Sequence, residues 1–205
     1  MSGRLYLCAT PIGNIEDITL RVLRTLQEVD LIAAEDTRNS IKLLNHFEIK
    51  TPMTSYHEYN KIEKAYTLIE KMQNGMNIAL ITDAGTPGIS DPGEELAAMC
   101  YDAGIEVTSL PGPAACLTAL TLSGLPTRRF AFEAFLPMEK KERREILNEL
   151  VNETRTIIIY EAPHKLVRTL KDLYETPVSY THLIGDERHS ALLCKLCRKG
   201  CPCHC

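Results

Sequence analysis

Apolar residues between Arg4 and Gly112 fall into short runs, and these alternate with longer segments of helical period. The short runs have the length of buried strands, and most end at residues that favour turns. The predicted strands are Arg4–Ala9, Leu31–Ala34, Met53–Tyr56, Asn77–Ile81 and Glu106–Leu110. A chain of alternating strands and helices predicts an α/β fold with a mainly parallel sheet and helices on both faces.

The segments between these strands carry helical stripes. Apolar residues recur at i, i+3, i+4 and i+7 from Thr19 to Val29 and again from Lys61 to Gln73, where Gly75 supplies a stop. The pattern also predicts helices over 94–103 and 114–123.

The sequence Gly124-Leu125-Pro126 predicts a domain boundary. We therefore divide the chain into an N-terminal α/β domain (1–124), a partial second α/β domain (125–176) and a tail (177–205). The second domain is predicted to contain strands over 130–135 and 156–160 and helices over 140–151 and 165–174. Two strands make a thin sheet with an open edge, so we expect this domain to be incomplete.

The tail shows neither a helical nor a strand period, and it is rich in cysteine. Cys194, Cys197, Cys201, Cys203 and Cys205 fall in the last twelve residues. Structural zinc sites usually pair two knuckles across a longer loop, and only one C-x2-C knuckle is present. We therefore favour a segment foreign to the preceding domain over a metal site, and we predict no metal ligand.

Bulk properties narrow the class of protein. The net charge of −4 argues against non-specific coating of nucleic acid, although not against a local basic patch. No run approaches the roughly 18 apolar residues needed to span a bilayer. The start leads straight into a strand, and Cys8, Cys100 and Cys116 lie in apolar surroundings typical of reduced thiols. We expect a cytoplasmic protein without a membrane segment.

Three loops rich in proline and glycine follow predicted strands. They are 9–14 (ATPIGN), 82–93 (TDAGTPGISDPG) and 111–115 (PGPAA). Because the ends of parallel strands meet at one edge, the loops predict a shared rim around a small ligand. None matches the dinucleotide or phosphate-loop pattern, and none contains lysine. The rim therefore favours a ligand held by backbone groups and apolar walls over a nucleotide held by its phosphates.

Polar clusters also follow the strands. The cluster members are Glu35-Asp36-Thr37-Arg38, Tyr56-His57-Glu58, Asp83 and Glu161-Ala162-Pro163-His164. Buried carboxylates are costly unless they are paired or face a wet site, so a functional rim would explain them. The alternative is local structure, in which Asp36 pairs with Arg38 and the two histidines belong to the scaffold. Basic residues at 128–129 and 140–144 fit either a solvated helix or a surface for phosphates.

Ordered motifs give the chain a family resemblance. The strings LYLCATPIGNIEDITLR, AAEDTR, SYHE, ITDAGTPGISDPG, SLPGPAA, SGLPT, FEAFLP and YEAPH resemble the tetrapyrrole methylase superfamily, and within it the ribosomal RNA small-subunit methyltransferases. The resemblance covers Leu5 to about Glu175. It implies a two-domain tetrapyrrole-methylase-like fold that binds S-adenosylmethionine in a trough between the domains. The implied methyl acceptor is the ribose 2′-hydroxyl of a cytidine in 16S rRNA.

The resemblance also implies roles for individual residues. The donor would be bound by Pro11, Asp83, Ala84, Gly85, Pro87, Ile89, Ser90, Pro111, Glu133 and Phe135. Catalytic residues facing the acceptor would be Asp36, Arg38, His57, Glu161 and His164, beside Tyr56, and the general base stays open among them. The complete family protein would be a homodimer that acts on the small ribosomal subunit.

Two other functions remain open. A methylase of the same superfamily could act on a small molecule, such as a tetrapyrrole precursor. A non-catalytic RNA- or metal-binding protein would instead use the cysteine tail. The segments Glu35–Arg38 and Glu161–His164 and the basic helix favour the RNA methyltransferase.

Overall fold

The computed structural model describes residues 2–176 and the strand 191–195, and it divides the chain into two units. The first unit, Met1–Ala114, contains a five-stranded sheet of order β3-β2-β4-β1-β5. Its strands are β1 (Arg4–Cys8), β2 (Leu31–Ala34), β3 (Met53–Ser55), β4 (Ile78–Ile81) and β5 (Glu106–Leu110). Every pair is parallel, which confirms the predicted sheet.

Four helices belong to the first unit: α1 (Leu20–Glu28), α2 (Thr37–His46), α3 (Lys61–Gln73) and α4 (Gly93–Asp102). Only α2 has no counterpart in the predicted pattern. Its buried positions are Ser40 and Leu44 alone, so its apolar stripe is too short to stand out in the sequence.

The helices cover the two faces of the sheet in pairs. Leu26 of α1 and Leu44 of α2 pack on one face, whereas Met72 of α3 and Leu96 of α4 pack on the other. Strand β4 is buried along its whole length because both faces are covered. Its neighbours β1 and β2 are followed by helices on the face opposite to α4. This is the arrangement in which α/β sheets open a ligand crevice at their carboxyl edge.

The second unit begins at Ala115. Its elements are α5 (Ala115–Leu122), β6 (Phe130–Phe135), α6 (Lys140–Leu150), β7 (Thr156–Tyr160), α7 (Leu166–Glu175) and β8 (Ala191–Lys195). The sheet order is β6-β7-β8, with β6 parallel and β8 antiparallel to β7. Helix α5 packs against β7 and β8, so the structure divides the chain before α5, whereas the sequence predicts the boundary after it at Gly124.

Strand β8 lies in the predicted tail, where the sequence pattern predicts no strand. It pairs with β7 from Thr156 opposite Lys195 to Tyr160 opposite Ala191. The other cysteines of the tail, at 197, 201, 203 and 205, lie outside the described residues, and so does any metal site built from them.

The three remaining cysteines are buried free thiols, as predicted. Burial raises the pKa of the Cys8 thiol to about 12 and that of Cys100 to about 11. Both thiols are therefore protonated and unreactive at neutral pH. Across residues 2–176 and 191–195, no helix has both the length and the apolar composition needed to cross a bilayer.

Gly112 allows the loop after β5 to approach the end of β1. A Cβ at this position would lie 2.6 Å from the Cβ of Ala9. We expect Gly112→Ala to lower the free energy of unfolding by about 1–3 kcal/mol through overpacking, measured by thermal or denaturant melting.

The control is Gly104→Ala. Its Cβ would meet no atom within 4 Å, so its loss comes only from the positive φ of +66° and amounts to about 1 kcal/mol. A Gly112 variant as stable as wild type would contradict the close approach.

Candidate active site

The loops after β1 and β4 are joined at the carboxyl edge of the first sheet. The Thr10 N–H donates to the Gly85 carbonyl at 2.9 Å, and the Gly85 N–H donates to the Thr10 carbonyl at 3.1 Å. The buried Thr10 hydroxyl donates to the carbonyl of Thr82 at 3.1 Å. These bonds hold the two loops as a single piece of backbone.

The loop after β5 joins the same piece. The Thr86 hydroxyl donates to the Pro113 carbonyl at 2.9 Å. Gly85 has φ +92°, and a Cβ there would lie 3.4 Å from Ile12 Cγ2 and 3.6 Å from the Pro113 oxygen. Within the first unit, the three loops predicted to share a rim therefore do meet, with Gly85 between them.

Asp91 shapes the long loop after β4. Its carboxylate accepts hydrogen bonds from the backbone N–H groups of Gly88 at 2.9 and 3.0 Å, Ile89 at 3.2 Å and Gly93 at 2.7 Å. No role was predicted for Asp91 from the sequence, although an aspartate just before a helix is a common N-terminal capping signal. Ser90 is held at φ +64°, a strained conformation for a residue with a side chain.

The predicted donor-binding residues of the first unit all lie on this rim. Gly85 and Pro87 are buried, Pro11 and Ala84 are half-buried, and Asp83, Ile89, Ser90 and Pro111 are exposed. The buried members pack within the loops, and the exposed members carry polar and apolar side chains at the surface of the rim.

A carboxylate of the predicted cluster 35–38 to which the sequence assigned no separate role lies beside the rim. Glu35, at the end of β2, accepts a hydrogen bond of 3.4 Å from the N–H of Asp83, whose carboxylate accepts one of 3.0 Å from Asn39 Nδ2. Burial raises the pKa of Glu35, and the charges of Asp83, Asp91 and Asp36 raise it further against the opposing Asp83 N–H. The signal was the strand end itself, because Glu35 is the first residue after β2.

Asp36 and Arg38 pair with each other. The Asp36 carboxylate caps helix α2 by accepting from the Arg38 N–H at 2.8 Å, and it also accepts from Arg38 Nε at 3.1 Å and Nη2 at 2.7 Å. The Arg38 side chain lowers the pKa of Asp36 to about 2. This is the local ion pair that the sequence analysis gave as the alternative to a functional rim. Both side chains therefore already have a partner.

Tyr56 and His57 follow β3. The buried Tyr56 hydroxyl donates to the Pro92 carbonyl at 3.0 Å, which ties β3 to the loop before α4. The His57 N–H donates to Asn60 Oδ1 at 2.9 Å, and its ring stands edge-on to Tyr59. His57 Nδ1 is buried and has no hydrogen-bond partner.

The remaining predicted residues belong to the second unit. Glu161 follows β7 and is buried, and its carboxylate accepts hydrogen bonds from the Ala162 N–H at 2.8 Å and from the Thr169 hydroxyl. His164 is exposed in the 3-10 turn that follows. Glu133 is half-buried in β6, and Phe135 is exposed at its end.

Arg143 is a buried charge, whereas the sequence left the basic residues at 140–144 open between a solvated helix and a surface for phosphates. Its Nε donates to Asp172 at 2.7 Å and its Nη2 donates to the Thr169 hydroxyl at 2.7 Å, so a continuous network links Arg143 to Glu161. The available signal was its spacing of i, i+4 and i+7 with Leu147 and Leu150, the buried stripe of α6. Glu161 thus has a structural task in addition to any role toward a substrate.

Comparison with known proteins defines the class of the chain. Residues 4–198 match the family model of the tetrapyrrole (corrin/porphyrin) methylases, which reaches past residue 175, where the recognisable motifs end. The chain belongs to the tetrapyrrole methylase family. Within it, the chain groups with proteins named ribosomal RNA small subunit methyltransferase I.

Three of these relatives show the extent of the match. The protein from Synechocystis sp. is 57% identical over 83% of this chain and 61% of its own length, and that from Haemophilus influenzae is 50% identical over 94% and 65%. The protein from Thermotoga maritima is 46% identical over 90% and 79%. The chain thus spans less than two thirds of the first two relatives.

Solved structures show the same fold at low identity. Uroporphyrin-III-C-methyltransferase from Thermus thermophilus superposes with a TM-score of 0.62 at 20% identity, covering 95% of this chain and 86% of that one. Diphthine synthase superposes with a TM-score of 0.71 at 13% identity, covering 95% and 82%. Likeness at this level establishes the fold.

The raised pKa of Glu35 predicts that the stability of the protein depends on pH. The folded protein holds the proton of Glu35 more tightly than the unfolded chain does. The stabilisation by the protonated carboxyl is therefore fully present below about pH 4 and is lost as the pH rises through the folded pKa. We expect Glu35→Gln to raise the melting temperature at neutral pH and to leave it unchanged near pH 4.

Glu70→Gln, on the exposed face of α3, is the matched control and should change the melting temperature little at either pH. A Glu35→Gln variant that melts below wild type at neutral pH would contradict the assignment.

Proposed function

We propose that this chain carries the donor-binding part of an S-adenosylmethionine-dependent methyltransferase. The complete protein would methylate the ribose 2′-hydroxyl of a cytidine in the 16S rRNA of the small ribosomal subunit. The observation that carries the proposal is the rim at Gly85, where three loops of one sheet edge are joined by hydrogen bonds. The similar proteins support the proposal because they are named ribosomal RNA small subunit methyltransferase I.

The charge of the rim suits this donor. S-adenosylmethionine carries a positive sulfonium, and the rim and its border contain the carboxylates of Glu35, Asp83 and Asp91. No lysine lies in the three loops to neutralise a triphosphate. Opposite charges attract strongly in a partly buried site, so the rim favours a cation over ATP.

Methyl transfer requires positioning more than activation. The ribose oxygen would attack the methyl carbon as the carbon–sulfur bond breaks, which makes alignment of the two substrates the main contribution of the protein. The hydroxyl proton must pass to a base. Our candidate bases in the first unit are Glu35, whose pKa is raised by burial, and the imidazole of His57.

The setting of the activity follows from the proposed acceptor. A protein acting on the small subunit would work in the cytoplasm. The family resemblance supports a homodimer for the complete protein, and light scattering during gel filtration would measure it. A monomeric complete protein would contradict the dimer while leaving the methyltransferase proposal intact.

The donor proposal predicts that the chain binds S-adenosylmethionine more tightly than ATP in isothermal titration. We expect Asp83→Asn to weaken donor binding by about tenfold or more, because a hydrogen bond to a charged group contributes roughly 1.5–3 kcal/mol.

Asp102→Asn makes the same chemical change at the far end of α4 and should bind as wild type does. Tighter binding of ATP than of S-adenosylmethionine would contradict the proposal.

The acceptor proposal predicts transfer of labelled methyl groups to isolated small ribosomal subunits, at the ribose of a cytidine. We expect slow transfer by this chain and faster transfer by a version extended with the C-terminal segment of the Haemophilus influenzae relative. Label in a base, or in an added tetrapyrrole precursor but not in the subunit, would contradict the RNA ribose as acceptor.

A further inference from the structure

A cavity of about 160 Å³ opens on the second unit between the end of β6 and the start of α7. One part of its wall is apolar and exposed, formed by Phe135 and Met138. The other part is charged, formed by Arg143, Glu161, Lys165 and Arg168. The wall thus combines an aromatic ring with several cations.

The buried charged groups at the floor of this cavity already have hydrogen-bond partners. Arg143 is 8% exposed and is bound to Asp172 and Thr169, while Glu161 is bound to Thr169 and the Ala162 N–H. The buried charges therefore have partners within the unit, and they hold the walls in place.

The cations at the mouth of the cavity lack ion-pair partners among the described residues. Lys165 Nζ meets Met138 Sδ at 3.1 Å, and neither it nor Arg168 forms an ion pair with any residue that the structure describes. A second cavity of about 490 Å³ shares Arg143 and Arg168 and adds Lys140 and Arg144, which are likewise unpaired among the described residues.

These cations form a basic groove, which we define as Lys140, Arg144, Lys165 and Arg168. The carboxylates that line the two cavities are Glu161, Asp172 and Glu175, and the first two are already bound. The groove is positively charged although the chain as a whole has a net charge of −4. Because such a local concentration of cations attracts negative charge, it indicates an anionic partner.

Phe135 is turned toward the groove by a bulge. The register of β6 against β7 shifts between Phe132 and Phe135, and Ala134 has φ +50°. The Phe135 ring rests against Tyr160 with centroids 5.5 Å apart and stays 53% exposed. Bulges re-aim side chains in this way beside functional sites, and a supported, half-exposed ring offers a stacking surface.

We propose that the basic groove and Phe135 bind a single-stranded segment of RNA. Phosphates would lie along Lys140, Arg144 and Arg168, and one unpaired base would stack on Phe135. An unpaired strand presents both a backbone charge and a free base face, which is the combination that the wall offers, whereas a duplex hides its base faces. The inference rests on the proposed function in that RNA is the methyl acceptor there, and it places a contact surface for that RNA.

The test measures RNA binding without a methyl donor. Fluorescence anisotropy of a labelled single-stranded RNA of mixed sequence would compare the 205-residue chain with Arg144→Ala/Arg168→Ala, Phe135→Ala and the control Lys171→Ala, an exposed α7 residue outside both cavities. All changed side chains are exposed, and melting curves would check that each variant folds.

We expect the double variant to lose about tenfold or more in affinity, and the slope of log K against log salt to fall by about 0.7 for each lost phosphate contact. Phe135→Ala should lose about tenfold with little change in salt slope, since stacking is not ionic. Lys171→Ala should bind as wild type, and a duplex of the same sequence should bind more weakly.

Wild-type affinity and salt slope in the double variant would overturn the inference, and so would equal affinity for the duplex. Methyl transfer to small subunits, measured in parallel, separates the two proposals. Loss of RNA affinity in the variants with no transfer by the complete protein would leave the groove standing and reject the proposed function.

Discussion

The two backbone hydrogen bonds between Thr10 and Gly85 fix the candidate active site of the first unit. They join the loops that follow the neighbouring parallel strands β1 and β4, at the point where helices α1 and α4 leave on opposite faces of the sheet. Open α/β sheets bind their ligands at such an edge, outside the carboxyl ends of the strands. Glycine is favoured at this junction because its φ of +92° is a backbone conformation that residues with a side chain rarely adopt.

The carboxylates around this edge differ in the number of hydrogen bonds that they accept. Asp91 and Asp36 accept hydrogen bonds from backbone N–H groups, and Asp36 also forms an ion pair with Arg38. Glu35 accepts one long hydrogen bond, and its burial raises its pKa despite that bond. Of these three carboxylates, Glu35 therefore has the fewest hydrogen-bond partners, while Asp36 and Asp91 hold the backbone around it in place.

The sequence predicts the helices and strands whose apolar residues recur periodically. It leaves open the side-chain contacts that depend on residues distant in the chain. The apolar run of β4 and the stripe of α3 appear at their observed positions because burial dictates residue type there. Arg143 does not, because its burial depends on Asp172 and Thr169 of another helix. The motifs likewise indicate the rim loops, because each motif is local in the chain. The hydrogen bond from Thr86 to Pro113 and that from Thr169 to Glu161 join residues far apart in the sequence, so only the fold shows them.

Amide hydrogen exchange with and without saturating S-adenosylmethionine would show whether the donor binds where the three loops meet, because it reports on each loop separately. We expect added protection in residues 10–14, 82–93 and 111–114, and little change in the exposed face of α3. Protection that leaves these three loops unchanged, with the donor bound, would contradict a site built on the Thr10–Gly85 junction.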